Sequence, residues 1–230
     1  MPVDRDIRRL AVTAVLFDLD GTLADSADDL AGALNSVRAD AGLPPVPLDA
    51  VRAHASSGAR GMLQAGMGIT PDHPRYNALR EAFLDHYAAN LAVNTRLFDG
   101  VDALLTHLTA HGFRWGIVTN KHTRFTVPVT AALALTGRAG VIVSGDTTPH
   151  AKPHPAPLLH AAAALQVAPA ACVYVGDDLR DIEAGIAAGM PTLAAAYGYV
   201  GAAGNFAQWP ATGVINSPLE ILDWLPQHAN

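Results

Sequence analysis

Asp18 and Asp20 stand two residues apart in Asp18-Leu19-Asp20-Gly21-Thr22, directly after the apolar run Ala11 to Phe17. Each carboxyl is ionised near neutral pH, with an ordinary pKa of about 3.9, and two such charges held close together repel. A divalent cation or a shared proton removes the conflict, and both serve catalysis. The pentapeptide by itself also fits a strand closing in an Asp- and Gly-rich turn. Three segments downstream weigh against that plainer reading. Trp115-Gly116-Ile117-Val118 is a second apolar stretch, ending in the hydroxyl of Thr119 and the amide of Asn120. Lys152 is followed by Pro153 and Pro155, which stiffen the loop carrying the cation. Cys172 to Gly176 is a third apolar stretch, and Asp177, Asp178 and Asp181 follow it. Carboxylates for a cation, a hydroxyl and an amide for anionic oxygens, and one lysine are the inventory of phosphoryl transfer. Catalysis of that reaction is mostly positioning and charge neutralisation.

These groups act together only if the fold gathers them. Stretches at 11–18, 115–119, 140–144, 172–176, 191–196 and 213–216 have the apolar content of buried strands. Helical patterns lie between them: Val101 to His111, stopped by Gly112; 155–166, alanine-rich and opened by proline; and 179–188, stopped by Gly189. Ser217-Pro218 opens a last helix, to about Leu225. The alternation predicts an α/β fold, a Rossmann-like doubly wound parallel sheet. In such a sheet the C-terminal strand ends share one edge, where ligands bind, so the four segments converge. One spacing is exceptional: roughly 90 residues separate Thr22 from Trp115, far more than a crossover helix requires. Within them, Leu30, Ala33, Leu34 and Val37 form a helical stripe over Asp25 to Ala41, and Gly42-Leu43-Pro44-Pro45-Val46-Pro47 ends it. Two or three short helices follow, including Tyr76 to about Leu91, and no strand-like alternation is present in this insert.

The ordered set of Asp18-x-Asp20-Gly21-Thr22, Thr119-Asn120, Lys152-Pro153 and Gly176-Asp177-x-x-x-Asp181 resembles the haloacid dehalogenase superfamily over nearly the whole chain. The layout is similar to the phosphoglycolate phosphatase family. Ser56 to Met62, Trp115 to Lys121 and Val175 to Gly185 look like the N-acetylmuramic acid 6-phosphate phosphatases of bacterial peptidoglycan recycling. The resemblance implies a core domain of residues 1–24 and 97–230. It also implies an inserted α-helical cap domain of residues 25–96, which closes over the site and selects the leaving group. It implies a Mg2+-dependent phosphatase, acting on a small carboxylate-bearing phosphomonoester through an aspartyl-phosphate. Asp18 is then the nucleophile, and Asp20 the acid that protonates the leaving group and later the base that activates water. Mg2+ is held by the Asp18 carboxylate, the Asp20 backbone carbonyl and Asp177. Thr119 and Lys152 hold phosphate oxygens, Lys152 also shielding the Asp18 charge, and Asp181 orients Lys152 or a metal-bound water. Thr22 belongs to the same substrate-binding set. A dehalogenase of this fold needs no second aspartate, so Asp20 argues against one. A phosphoglucomutase-type phosphotransferase and a broad-specificity sugar phosphatase share the motifs and stand as alternatives. A sensor without turnover would not require Asp18, Asp20, Lys152 and Asp177 together.

Several neighbours carry two readings. Asp178 supports the metal site or caps the next helix. Asn120 bonds phosphate or the backbone of the first motif. Lys121 and His122 touch substrate or are solvated loop residues. In the insert, small Ser57 and Gly58 permit close backbone approach, and Arg60 clamps a carboxylate or is solvated on the first turn of a helix capped by Ser56 or Ser57. The ten histidines show no metal-ligand spacing; His150 and His154 are four apart, but prolines interrupt them. A net charge of −6 argues against nucleic acid or an anionic membrane as partner. No apolar run nears the roughly 18 residues of a membrane span, and Met1 to Asp6 lacks a secretory apolar segment. A cytoplasmic enzyme with a small-molecule phosphomonoester as partner is expected, monomer and homodimer both remaining open. Cys172, the single cysteine, sits in an apolar stretch and is expected to be a buried thiol.

Overall fold

In a computed structural model, residues 9–199 and 205–229 are described; Met1 to Asp6 lie outside them. The first strand, β1 (Ala14–Phe17), is wholly buried. Val15 and Phe17 enter one apolar cluster and Ala14 and Leu16 another, as the alternation of a strand requires. The insert follows. It opens at β2 (Ala24–Asp25) and closes at β3 (Arg96–Leu97), an antiparallel pair tying its two ends together. No strand was expected there, and two residues carry no periodicity to detect. Between them lie α1 (Ala27–Asp40), α2 (Gly58–Met67) and α3 (Tyr76–Ala89), with 3-10 turns over Leu48–Ala50 and Arg52–Ser57. Leu34, Val37, Met62, Leu63, Phe83 and Tyr87 give the insert a core of its own, which Phe125 and Tyr199 join from outside.

The chain continues through α4 (Val101–Ala110), β4 (Arg114–Val118), α5 (Thr123–Ala132), β5 (Val141–Val143), α6 (Ala156–Ala164), β6 (Cys172–Gly176), α7 (Leu179–Ala187), β7 (Thr192–Ala195) and β8 (Gly213–Ile215). One parallel sheet has the order β5-β4-β1-β6-β7-β8. Leu104, Leu105 and Leu108 of α4, with Ile221, cover the Val15 and Phe17 face; Leu158 and Ala161 of α6 and Ala184 of α7 cover the other. The sheet builds from β1 out to β5, then returns to β6 on the opposite side of β1. The crevice beyond the ends of β1 and β6 is therefore the switch point where α/β sheets bind ligands.

Two segments differ from expectation. Helix α5 was not anticipated, because Pro128 lies inside it, where proline removes a ladder hydrogen bond. Burial of Phe125 and Val129 outweighs that penalty. The segment after Ser217-Pro218 is a 3-10 turn over Pro218–Asp223 instead of an α-helix, and Ser217 makes no side-chain cap. Ile221 and Leu225 are drawn into the core there, and their burial outweighs the helical signal. No helix among the described residues is long and apolar enough to cross a membrane.

Candidate active site

Asp18 leaves the end of β1 with its N–H donating to Val175 O at 2.9 Å, which places it beside the end of β6. Gly21, at φ +89°, adopts a backbone conformation that a side chain would strain, and a Cβ there would collide with the Asp177 carboxylate. The Asp-Gly-Thr turn thus lets Asp177 approach. Lys152, 5% exposed, completes the centre. Its Nζ lies 2.8 Å from both Asp18 Oδ1 and Asp181 Oδ1. It also lies 2.9 Å from Val118 O and 2.7 Å from the Tyr174 hydroxyl. Asn120 fixes the lysine backbone: its Oδ1 accepts from Lys152 N at 2.9 Å, and its Nδ2 donates to Lys152 O at 3.0 Å. Asn120 is therefore spent on the lysine loop.

Oxygens of Asp18, Asp177 and Asp181 lie within 4.8 Å of one another, and all three residues are buried. Burial pushes the Asp18 carboxyl up to about 7, Lys152 opposing the shift and Asp181 adding to it. Burial, then Asp18 and Asp181, raise Asp177 well above the ordinary carboxylate range. Three carboxylates face one ammonium, which leaves two negative charges uncompensated when all are ionised. A hard divalent cation with oxygen ligands matches both the charge and the donor type. Asp181 is the most committed of the three. Besides Lys152, its Oδ2 accepts from Asp178 N at 3.1 Å. Asp178 caps α7, accepting from Arg180 N at 2.9 Å, and pairs with the Arg180 guanidinium at 2.7 Å. Of its two expected roles, Asp178 takes the cap.

Asp20 faces a different environment. Its Oδ1 accepts from Ser26 Oγ at 2.5 Å, and Lys121 Nζ lies 3.0 Å from both its oxygens. Lys121 is not a solvated loop residue: its side chain is 7% exposed, and its ammonium lies 4.8 Å from the centre of the Tyr87 ring. Burial disfavours that charge, but Asp20 more than compensates and holds the lysine protonated. Thr119 is buried and its Oγ1 accepts from Lys121 N at 3.1 Å, leaving its hydrogen for an anion. Thr22 Oγ1 faces Asp177 Oδ1 at 3.4 Å, under the cavity instead of along its wall.

Above these groups lies a cavity of about 530 Å³. The first turn of α2 supplies Gly58 and Arg60 to its wall, beside Ser56 and Ser57. Ser57 occupies the N-cap position without capping, and Ser56 turns to the core, its Oγ donating to Asp177 Oδ2 at 2.7 Å. Arg180 donates to Ser56 O at 3.1 Å, so the insert rests directly on the acidic centre. Sequence reasoning missed Ser26, Ser56, Tyr87, Tyr174, Arg180 and Tyr199. Tyr174 lies inside a strand, where an aromatic residue signals core and only its need for a hydroxyl partner hints at more.

The haloacid dehalogenase-like hydrolase family model matches residues 15–195, a span running from β1 to β7 and holding every one of these groups except Tyr199. The chain belongs to the haloacid dehalogenase-like hydrolase family. Among its relatives, an N-acetylmuramic acid 6-phosphate phosphatase of Pseudomonas aeruginosa is 42% identical over 219 residues, 95% of this chain and 97% of the relative. A phosphoglycolate phosphatase of Xanthomonas campestris is also 42% identical, over 213 residues, 93% of this chain and 95% of the relative. A crystal structure described as a predicted phosphoglycolate phosphatase from Haemophilus somnus superposes with a TM-score of 0.80 at 28% identity, covering 92% of this chain and 97% of the other. This family member therefore shares its fold and most of its length with proteins named as phosphatases.

Proposed function

We propose that this protein is a Mg2+-dependent phosphatase that hydrolyses N-acetylmuramic acid 6-phosphate in preference to phosphoglycolate. Phosphoric monoester hydrolysis is the reaction its named relatives share, and both substrates join a phosphate to a carboxylate. The observation that carries the choice between them is the cavity over Asp18, about 530 Å³ and walled by Leu84, Phe83, Tyr87 and Phe125. A two-carbon acid leaves most of that space to water. An amino sugar with lactyl and acetamido groups fills it and lays apolar faces on the aromatic wall. Arg60 and Arg124 line the cavity without an acidic partner among the described residues, and either guanidinium suits the lactyl carboxylate. The test is phosphate release compared by kcat/KM. A preference of about 100-fold, worth about 2.7 kcal/mol in the transition state, is expected for the sugar acid. A preference for phosphoglycolate would reverse the assignment, and low values for both would leave a broad sugar phosphatase.

The insert, residues 25–96, acts as a cap over a core of residues 1–24 and 97–230. Asp18 Oδ2, the oxygen that Lys152 does not hold, attacks phosphorus. The new bond from Asp18 to phosphorus forms as the ester bond breaks, and Asp20 passes a proton to the departing alkoxide. Water then attacks the phosphorus of the aspartyl-phosphate as Asp20 takes its proton; the bond from Asp18 to phosphorus breaks, inorganic phosphate leaves, and Asp18 is regenerated. Thr119 donates to a phosphoryl oxygen, and Lys152 offsets charge at the Asp18 carboxylate. Mg2+, held by Asp18, Asp177 and the Asp20 carbonyl, would neutralise phosphoryl charge when bound.

Two further outcomes follow from these roles. Asp20→Asn should slow an alkyl phosphate about 10²-fold more than p-nitrophenyl phosphate, whose leaving group needs little protonation. Equal slowing, measured by steady-state kinetics, would remove Asp20 as the acid. The second concerns metal and pH. Folding raises the Asp18 pKa to about 7, so the folded metal-free protein keeps a proton that the unfolded chain has released. The stabilisation from that proton is complete below the unfolded pKa of about 4 and is lost as pH rises through 7. Mg2+ must displace the proton to bind. Urea unfolding should therefore show a larger Mg2+ stabilisation at pH 8 than at pH 5.5. An equal effect at both would place the metal elsewhere.

A further inference from the structure

Among the described residues, two buried side-chain polar atoms have no hydrogen-bond partner, the hydroxyls of Tyr87 and Thr192. Thr192 lies in β7, beneath the sheet face that Gly185 packs on, away from the cavity. Tyr87 is different: it is 1% exposed, yet it lines the cavity. The Lys121 ammonium lies beside the phenol oxygen but can only donate to it, and a buried phenolic O–H without an acceptor costs free energy that a tightly packed interior normally avoids. In a binding cavity, the missing partner can be the ligand.

The ring of Tyr87 is held firmly. It stands in the last turns of α3, 6.5 Å from the Phe83 ring and 5.3 Å from the Phe125 ring of α5. Its face carries the Lys121 ammonium at 4.8 Å, and that ammonium is the one bound by both oxygens of Asp20. Tyr87 therefore stands on the side of Asp20, the acid of the proposed reaction, where the leaving group departs. Burial holds the phenol above its ordinary pKa, so the hydroxyl remains a donor at neutral pH.

We propose that Tyr87 is a specificity-determining residue: its hydroxyl bonds a polar oxygen of the leaving group, a sugar hydroxyl or an amide carbonyl, while its ring keeps Lys121 on Asp20. The inference rests on the phosphatase reading and adds a role for the insert beyond closure. The ring and the hydroxyl separate cleanly by substitution. Tyr87→Phe keeps the ring, its stacking and the cation contact, and removes only the oxygen.

The experiment compares N-acetylmuramic acid 6-phosphate with phenyl phosphate, whose leaving group offers no polar atom beyond the ester oxygen. Tyr87→Phe should lose about tenfold more kcat/KM on the sugar phosphate than on phenyl phosphate, chiefly through KM. Its thermal unfolding without substrate should be little changed, because the lost O–H had no internal acceptor and Lys121, beside the phenol oxygen, keeps both oxygens of Asp20. Tyr87→Leu, which also removes the ring, should lower kcat on both substrates. An unchanged ratio in Tyr87→Phe, or a clear drop in its unfolding temperature, would overturn the inference and leave the phosphatase reading intact. Absence of turnover on any phosphomonoester by the unaltered protein would overturn that reading instead. Calorimetric titration of the sugar phosphate into Asp18→Asn, with and without Tyr87→Phe, then decides the inference alone. About tenfold weaker binding in the double variant supports it, and equal or absent binding overturns it.

Discussion

Asp18→Asn is expected to lower phosphomonoester turnover by about 10⁴-fold or more while leaving the fold intact. The asparagine keeps the shape of the side chain at the end of β1, and its Oδ1 can still accept from Lys152, as the aspartate does at 2.8 Å. What it cannot do is attack phosphorus as a carboxylate. The stability effect has the opposite sign from that of most buried polar substitutions. Asp18 is pushed up to about 7 by burial and by neighbouring carboxylates, so its charge is unfavourable in the metal-free protein. Removing it should leave the metal-free protein at least as stable at pH 8, where the wild-type group is ionised. Trapping with labelled substrate gives the direct reading: acid-quenched wild-type protein should carry phosphate, and Asp18→Asn should carry none. Residual turnover within about tenfold of wild type would mean that water attacks phosphorus directly.

The separation of what the sequence displays from what it hides follows from range. The central strands were legible because both faces of β1 and β6 are buried, which writes a continuous apolar run into Val15-Leu16-Phe17 and Val173-Tyr174-Val175. The strand ends were legible for the same reason, and with them Asp18, Thr119, Asp177 and their shared edge. Contacts made across long separations were not. Nothing local distinguishes Lys121 in a loop from any solvated lysine; its burial depends on Tyr87, 34 positions earlier in the chain, and on Asp20. Ser56 had the ordinary reading of a helix cap, which did not include Asp177, 121 residues away. The capping box of α7 is the counter-example. Asp178 and Asp181 are three residues apart, so the cap was within reach of sequence reasoning, whereas the second bond of Asp181, to Lys152, was only an expectation of resemblance. The same logic covers α5 and the C-terminal 3-10 turn, where tertiary burial overrides a local signal.

Lys152→Met should be more damaging to the protein than Asp18→Asn, because it removes the one ammonium that, among the described residues, is bonded to Asp18 and Asp181. Methionine matches the length of the lysine stem and fills the same volume, so packing is spared. The charges are not. Lys152 is 5% exposed, and its departure leaves the buried carboxylates and the Tyr174 hydroxyl oxygen without their donor, while Val118 O keeps the Tyr174 O–H at 2.8 Å. Breaking a buried ion pair from one side costs about 3–5 kcal/mol, and that range is expected for the metal-free protein at pH 8. The loss should shrink as the pH falls from the alkaline side, because without Lys152 the Asp18 carboxyl takes up its proton at a higher pH than in the wild-type protein, and a neutral carboxyl needs no counter-charge. Turnover should fall by about 10²–10³, the range for loss of one preorganised charge partner. Mg2+ separates this account from simple misfolding. With the competing ammonium gone, the acidic set should bind the cation more tightly, so the half-saturating Mg2+ concentration falls even as kcat collapses, and added Mg2+ recovers part of the lost stability. A disrupted site would move both quantities the other way. Unfolding curves with and without Mg2+, at pH 5.5 and 8, give all four values. Weaker Mg2+ binding in the variant would show that Lys152 holds the carboxylates in place for the cation instead of competing with it.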